Sequence, residues 1–168
     1  MKEGETFRDY LAGQSSNRNC LYRFQDPVPI RPWTDPLDAK NYGDVCPQLA
    51  QEDQSFIGDE DCLTLNVYTP RIPTGKGLGR SLARSYLLPV LVFFNGKLFT
   101  SGSSEIDAGP MIDQDIVVVT MNYRLGALGF LNLNSPMAPG NMGLKDQLEA
   151  IMFVIDTLNG QIGSRNDE

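Results

Sequence analysis

The 168-residue sequence contains no histidine. A serine or cysteine nucleophile is normally activated by a neighbouring imidazole, so the chain lacks the usual base for covalent hydrolysis. The same absence excludes histidine zinc sites, and the three cysteines are scattered without a CxxC pair. We therefore expect no metal site and no cofactor, and the composition argues against hydrolysis by this chain alone.

Positive charge and long apolar runs are also scarce. Lysine and arginine number 14 against 21 acidic residues, and a net charge of −7 argues against nucleic-acid binding through a basic surface. No apolar run approaches the ~20 residues of a membrane-spanning helix. Residues 1–5 lack the apolar core of a secretory signal, and no Asn-x-Ser/Thr sequon is present. Either the chain is cytosolic or its true beginning is missing.

The composition that remains is that of a globular protein, with 41% hydrophobic and 21% charged residues. Residues 63–68 alternate between apolar and polar side chains, which predicts a half-buried strand. Residues 88–94 and 116–121 are continuous apolar runs, typical of strands covered on both faces. Two such strands favour the middle of a sheet with helices on both sides, which places the chain in the α/β class.

Residues 143–158 are predicted to form an amphipathic helix. Apolar side chains recur at spacings of three and four, which gives one apolar stripe. Gly160 is a plausible C-terminal stop. The stripe consists of Leu144, Leu148, Ile151, Ile155 and Leu158, and Lys145, Glu149 and Asp156 lie largely on the other side.

The remaining segments carry little periodicity. Residues 1–20 are predicted to be a poorly ordered start. Four prolines within residues 27–36 favour an extended, turn-rich chain, which Trp33 is expected to pack onto the core. The glycine-rich residues 71–85 are predicted to be a solvated hairpin connection. A phosphate-binding loop would require a lysine followed by Ser or Thr at the start of a helix, whereas this segment leads into a strand.

Five blocks resemble the type-B carboxylesterases, the cholinesterase-like family. They are EDCLTLNVY at residues 60–68, YGDVCPQ at 42–48, the strand and loop at 88–103, VTMNYRLGALGFL at 119–131 and PGNMGLKDQ at 139–147. The blocks arrive in the family's order. The resemblance implies that residues 21–168 are the amino-terminal portion of an α/β-hydrolase domain, with part of its central, mostly parallel sheet and a flanking helix.

The resemblance also implies a disulfide between Cys46 and Cys62, because the family pairs the cysteines of these two blocks. Closing the loop of residues 47–61 would stabilise the fold by about 3 kcal/mol. The alternative is two reduced thiols in a cytosolic chain, and Cys20 is left over in either case. The compartment depends on the outcome, extracellular with the bridge and cytoplasmic without it.

Two charged pairs follow from the same resemblance. Arg124 and Asp146 match an ion pair between a strand end and the following helix, for which we expect a structural role. Glu60 normally has an arginine partner in an upstream segment similar to FRGIPYA. That segment is not recognisable here, so we expect the front of the chain to be altered or missing.

The catalytic residues of the family are not found in this chain. Ester hydrolysis by this class needs a GxSxG serine, a histidine base with an acidic partner, and backbone N–H donors for the oxyanion. No GxSxG is present, and residues 163–168 resemble the turn before the nucleophile strand. We therefore assign no catalytic residue and expect the serine, acid and histidine downstream. Residues 101–104 are expected to be polar turn residues and not a nucleophile.

The oxyanion loop is present in a degenerate form. The family motif HGGGF reads NGKLF at residues 95–99, so Gly96 is retained while Lys97 and Leu98 replace the second and third glycines. A β-carbon penalises positive φ, and loss of one oxyanion donor costs on the order of 10²–10³ in kcat. Even a full-length parent is then expected to be a weak esterase or none, although Lys97 and Leu98 also carry N–H groups.

Three functional hypotheses follow. The first is a fragment of a carboxylic-ester hydrolase, inactive alone, whose full-length parent takes a small carboxylic ester. The second is a non-catalytic cholinesterase-like binding or adhesion protein, a pseudoenzyme that uses the fold as a recognition surface. The third is a partial sheet with exposed apolar edges that is marginally soluble unless a protein partner covers it.

Overall fold

The computed structural model describes residues 4–7, 11–12, 23–29, 41–50, 52–70 and 88–158. Short strands and three helices account for the regular structure of this part of the chain. In chain order the elements are β1 (Gly4–Phe7), β2 (Leu11–Ala12), β3 (Val28–Pro29), β4 (Gln48–Leu49), β5 (Phe56–Ile57), β6 (Leu65–Tyr68), β7 (Val90–Phe94), α1 (Gly109–Ile112), β8 (Val117–Met121), α2 (Gly126–Phe130), β9 (Asn132–Ser135), β10 (Ala138–Pro139) and α3 (Met142–Leu158).

The main sheet has four strands in the order β1-β6-β8-β7. Its β7–β8 pair is parallel, whereas β1–β6 and β6–β8 are antiparallel. A parallel pair needs a crossover connection, which here contains the one-turn helix α1. Two-stranded antiparallel pairs (β2–β3, β4–β5 and β9–β10) surround this sheet. The predicted α/β class is confirmed, and the described part of the sheet carries one parallel pairing out of three.

The two apolar strands differ in burial, although both were predicted to be covered on both faces. Strand β8 is covered on both faces, because Val119 packs in the core cluster that contains Ala150 of α3 and Val118 packs in the cluster that contains α1. Strand β7 lies at the edge of the described sheet, where only one of its faces packs on the core. On its other face Leu91 and Phe93 are 40% and 41% exposed.

Strand β6 is more deeply buried than its alternating pattern predicts. Asn66 was expected on a solvated face, yet it is buried as completely as Leu65. Its Nδ2 donates hydrogen bonds to Ser104 O at 3.2 Å and to Thr120 Oγ1 at 3.1 Å. The prediction was wrong because the segment before α1 covers this face and satisfies the amide donor, which makes burial of an asparagine tolerable.

Helix α3 has the predicted bounds to within one residue, but the stripe of leucines is not the side that packs on the sheet. Met142, Ala150 and Val154 are buried, together with Asp146, whereas three members of the predicted stripe are exposed. This face packs inward because Ala150 adds little bulk and Asp146 has a buried partner at the end of β8. The exposed apolar side chains of α3 are Leu144, Leu148, Met152 and Ile155.

Several predictions concern residues outside the described part of the chain. These are Cys20, Trp33, the glycine-rich residues 71–85 and the helix stop at Gly160. Within the predicted poorly ordered start, β1 and β2 are strands, and the rest of residues 1–20 is outside the description. Among the described residues, no helix combines the length and apolarity that crossing a bilayer requires.

Candidate functional site

Residues 95–101, within which the sequence predicts a degenerate oxyanion loop, form a tight turn between β7 and α1. Lys97 N donates a hydrogen bond to Ser101 O at 2.7 Å, and Thr100 N donates to Lys97 O at 3.0 Å. Leu98 and Phe99, the two central residues, have φ angles of 52° and 59°. Positive φ at both central positions is the signature of a type I′ turn, a conformation that normally selects Asn-Gly. We call residues 97–101 the Lys97 turn.

The backbone N–H groups of Lys97 and Leu98 differ in whether they are hydrogen-bonded. The Lys97 N–H is already engaged by Ser101 O, whereas within the described part of the chain the Leu98 N–H has no hydrogen-bond partner. Of the two positions that replace glycines, Leu98 is the one with positive φ. Its side chain is 85% exposed, so no packing compensates the backbone strain.

Replacing Leu98 by glycine is expected to stabilise the chain by about 0.5–1 kcal/mol, since relief of the left-handed strain exceeds the added entropy of the unfolded state. Thermal unfolding monitored by circular dichroism measures the change. Leu133→Gly is the matched control, because Leu133 is also exposed and lies in β9 without positive φ. The control should lose about 0.5–1 kcal/mol. A loss of stability in Leu98→Gly would contradict the strain argument.

Both sides of the Lys97 turn are anchored. Phe99 packs on Phe130 of α2 with ring centroids 5.1 Å apart, and its carbonyl accepts a hydrogen bond from Gly126 N at 2.8 Å. On the other side, a Cβ at Gly96 would lie 2.2 Å from the Tyr123 hydroxyl, so glycine is required for this contact. Burial raises the pKa of the Tyr123 hydroxyl. The turn is therefore held against the sheet by its neighbours.

A cavity of about 810 Å³ lies between the Lys97 turn and the β4–β5 hairpin. Ser101 and Lys97 line one wall, and Gln48 and Glu52 line the other. Asp53 also lines it, and hydrogen bonds from the Ser55 side chain and backbone lower the pKa of its carboxyl group. The cavity is an open cleft with charges of both signs, bounded by the segment that the sequence predicted to be the oxyanion loop.

The Cys46–Cys62 disulfide is formed, as predicted. Both cysteines are buried in the main core cluster. The bridge joins the start of β4 to the segment before β6, so it closes the loop that carries one wall of the cavity.

Arg124 and Asp146 form a buried, two-pronged ion pair. Nε of Arg124 donates to Oδ2 of Asp146 at 2.8 Å, and Nη2 donates to Oδ1 at 2.6 Å. The Arg124 backbone N–H also donates to Oδ2, and Nη1 donates to Gln25 O at 2.9 Å. The side chains are 3% and 0% exposed. The pair joins the segment after β8 to α3, and neither residue lines the cavity. Its structural role stays a prediction.

Glu60 has an arginine partner, contrary to expectation. Arg23 contacts both carboxylate oxygens, and its Nε donates to Glu60 Oε2 at 3.0 Å. Sequence reasoning sought the arginine within an FRGIPYA-like motif and missed Arg23, which lies 37 residues upstream of Glu60. The Tyr22-Arg23 dipeptide, which resembles the Phe-Arg that opens the FRGIPYA motif, was the signal that could have identified it.

Other candidate chemistry is not assembled in the described residues. Ser101 and Ser104 are buried, and the backbone of Ser104 is fully engaged in hydrogen bonds. No group of three acidic, cysteine or histidine side chains in this part of the chain could hold a metal ion. Sequence reasoning missed Gln48 and Asn122, which contact the segment that follows the Lys97 turn.

The arrangement of a disulfide-closed loop, a turn after a parallel strand and a buried ion pair at the next strand end agrees with comparison to known families. The family model described as the carboxylesterase family matches residues 21–160. The chain belongs to the carboxylesterase family. Its partial α/β-hydrolase fold, predicted from the sequence, is confirmed by the structure of juvenile hormone esterase from Manduca sexta with OTFP covalently attached. That structure is similar with a TM-score of 0.69 and 34% identity, over 90% of this chain and 28% of that one.

Curated members of the carboxylesterase family show the same extent of similarity. The carboxylic ester hydrolase of Bombus ignitus is 35% identical over 150 residues, covering 86% of this chain and 25% of the relative. The acetylcholinesterase of Electrophorus electricus is 39% identical over 155 residues, covering 82% and 23%. The chain therefore spans about a quarter of the length of these relatives.

Proposed function

We propose that this chain supplies part of the substrate cleft and the oxyanion turn of a carboxylic-ester hydrolase, and that it does not hydrolyse esters by itself. The observation that carries the proposal is the position of the Lys97 turn at the edge of the cavity. The chain itself contains no histidine and no GxSxG serine. A small carboxylic ester is the substrate class that the family supports for a longer protein with this segment.

The geometry of the turn bears on how well it could stabilise an oxyanion. An effective oxyanion hole presents preorganised N–H donors about 2.7–3.1 Å from the developing charge. In this chain the Lys97 N–H points to Ser101 O, which leaves the Leu98 N–H as the unengaged donor of the two substituted positions. With one donor in place of two, catalysis is expected to fall on the order of 10²–10³-fold in kcat.

Purified chain is expected to show no turnover of a short-chain aryl ester above the spontaneous rate, because no imidazole is present to activate a nucleophile. Release of the aryl alcohol, followed spectrophotometrically under multiple-turnover conditions, measures this. Ser101→Ala is the matched control, since Ser101 lines the cavity and is the serine within the Lys97 turn. Sustained turnover by the chain that disappears in Ser101→Ala would refute the proposal.

A second candidate is a non-catalytic binding or adhesion role, in which the chain is part of a pseudoenzyme. The engaged Lys97 N–H favours it, because a turn closed on itself is a poor oxyanion site but a well-defined recognition surface. A protein partner that covers the exposed face of β7 belongs to this candidate, since Leu91 and Phe93 are half-exposed there. Detection of the protein at the cell surface, without esterase activity, would favour it over the first.

A further inference from the structure

The backbone that follows the Lys97 turn is held residue by residue by carboxamide side chains. Asn95 Nδ2 donates a hydrogen bond to Ser103 O at 3.0 Å. The next residue, Ser104, donates its N–H to Asn122 Oδ1 at 2.9 Å. Gly102, the residue adjoining the turn, is held at both of its backbone polar groups by one side chain, that of Gln48.

The contact between Gln48 and Gly102 is a reciprocal pair of hydrogen bonds. Gln48 Nε2 donates to Gly102 O at 2.8 Å, and Gly102 N donates to Gln48 Oε1 at 2.8 Å. The carboxamide thus takes the place of a neighbouring strand's peptide group. Glycine is needed opposite it, because a Cβ on Gly102 would lie 2.9 Å from both Asn95 O and Gly96 Cα.

Gln48 is itself fixed by the disulfide-closed loop. It follows Cys46 by two residues, and its Nε2 also donates to Cys46 O at 3.0 Å. In β4 it pairs with Ile57 of β5. The side chain therefore connects two segments 54 residues apart in sequence, and it does so where the two walls of the cavity meet.

Gly102 directly follows the residue that determines the direction of the Lys97 N–H. Ser101 O accepts the hydrogen bond from Lys97 N at 2.7 Å, and Ser101 and Gly102 share one peptide plane. The peptide N–H on that plane is the one that Gln48 Oε1 accepts. Rotation of this peptide would break both hydrogen bonds together.

We propose that Gln48 is a positioning residue, which transmits the conformation of the disulfide-closed loop to the Lys97 turn through Gly102. With Gln48 in place, the Ser101–Gly102 peptide keeps the Lys97 N–H directed at Ser101 O. Without it, the turn samples orientations in which that N–H faces the cavity. The relevance to catalysis rests on the proposed function, whereas the coupling itself is a property of this chain.

Gln48→Glu tests the proposal because it preserves shape and one acceptor but replaces the donor by a carboxylate oxygen facing Gly102 O and Cys46 O. Repulsion from these carbonyls should raise the pKa of the introduced carboxyl above its usual value of ~4.3. Protonation then restores a donor. We expect about a tenfold loss of hydrogen-exchange protection at the Lys97 and Gly102 amides at about pH 7.5, and recovery at about pH 5.5.

Gln54→Glu is the matched control. Gln54 lies in the same disulfide-closed loop and makes the same charge change, but its Nε2 donates only to Ala50 O. Measuring both variants and the wild type at both pH values by NMR separates the effect of the introduced carboxyl from that of the other charged groups lining the same cavity, which are Glu52, Asp53 and Lys97. The control should leave the Lys97 and Gly102 amides unchanged.

Two results would overturn the proposal. Unchanged protection of Lys97 in Gln48→Glu would mean that Gln48 does not orient the turn. An equal loss at the amides of α3, such as Ala150, would mean that Gln48 only contributes to global stability. Ester turnover by the chain alone would refute the proposed function and leave this readout unaffected.

Discussion

Asp146→Asn lowers the free energy of unfolding by about 3–5 kcal/mol, because it leaves the Arg124 guanidinium charged and buried without its counter-charge. The carboxylate accepts hydrogen bonds from Nε, Nη2 and the backbone N–H of Arg124, and an asparagine amide cannot replace all three. Because Arg124 lies in the segment that directly follows β8, the loss weakens the contact between the sheet and α3. Urea unfolding monitored by fluorescence and circular dichroism measures the change.

The neighbouring residue supplies the control. Lys145 of α3 forms an ion pair with Asp26, and their side chains are 37% and 62% exposed. Lys145→Gln should therefore change stability by no more than about 0.5 kcal/mol. Equal losses of stability in Asp146→Asn and Lys145→Gln would show that burial of the Arg124–Asp146 pair does not increase its contribution to the free energy of unfolding.

A double variant tests whether the Arg124–Asp146 ion pair itself stabilises the fold or whether Asp146→Asn is destabilising only because it leaves the buried Arg124 charge unpaired. Arg124→Met combined with Asp146→Leu removes both charges, so it should be less destabilising than Asp146→Asn alone. If the double variant is as unstable as the single, the ion pair makes a net contribution that apolar packing does not replace.

Replacing both Cys46 and Cys62 with alanine removes the bridge and lowers the free energy of unfolding by about 3 kcal/mol. The main reason is that the two positions, 16 residues apart in sequence, are no longer tied together in the unfolded chain, which gains conformational entropy. Alanine is preferred to serine because both positions are fully buried and a hydroxyl there would lack partners. Thermal and urea unfolding under non-reducing conditions measure the loss.

Cys20→Ala is the control for the disulfide variant, because it removes the third cysteine and leaves the bridge intact. Its stability should match that of the wild type within about 0.5 kcal/mol. Non-reducing peptide mapping of natively purified protein provides an independent check. Free thiols at both Cys46 and Cys62 would contradict the bridge itself.

The local structure was largely predictable because it depends on short-range periodicity. Continuous apolar runs predicted β7 and β8, and spacings of three and four predicted α3 to within one residue of its start. The same patterns could not predict burial. Leu144, Leu148 and Ile155 of the predicted stripe are exposed. The face of α3 that packs is decided by the Arg124–Asp146 ion pair and the sheet, and not by hydrophobicity alone.

The sequence singled out the segment of the candidate site but not its geometry, and the role of that segment as an oxyanion loop stays a prediction. The substituted glycine motif identified residues 95–99, and the positive φ of Leu98 agrees with the expectation that a glycine position tolerates a side chain poorly. Nothing local indicates that the Lys97 N–H donates to Ser101 O. Nor does the pattern around Gln48 reveal that its carboxamide holds Gly102.

The sequence by itself determined the family, the α/β class and the absence of an imidazole base, because these depend on residue identity and on the order of motifs along the chain. Only the tertiary structure decided the partner of Glu60, the burial of Asn66 and the hydrogen bonds between Gln48 and Gly102. The physical reason is the separation of these residues along the sequence. These contacts join residues 37 to 54 positions apart, and such pairs form only when the sheet brings distant segments together.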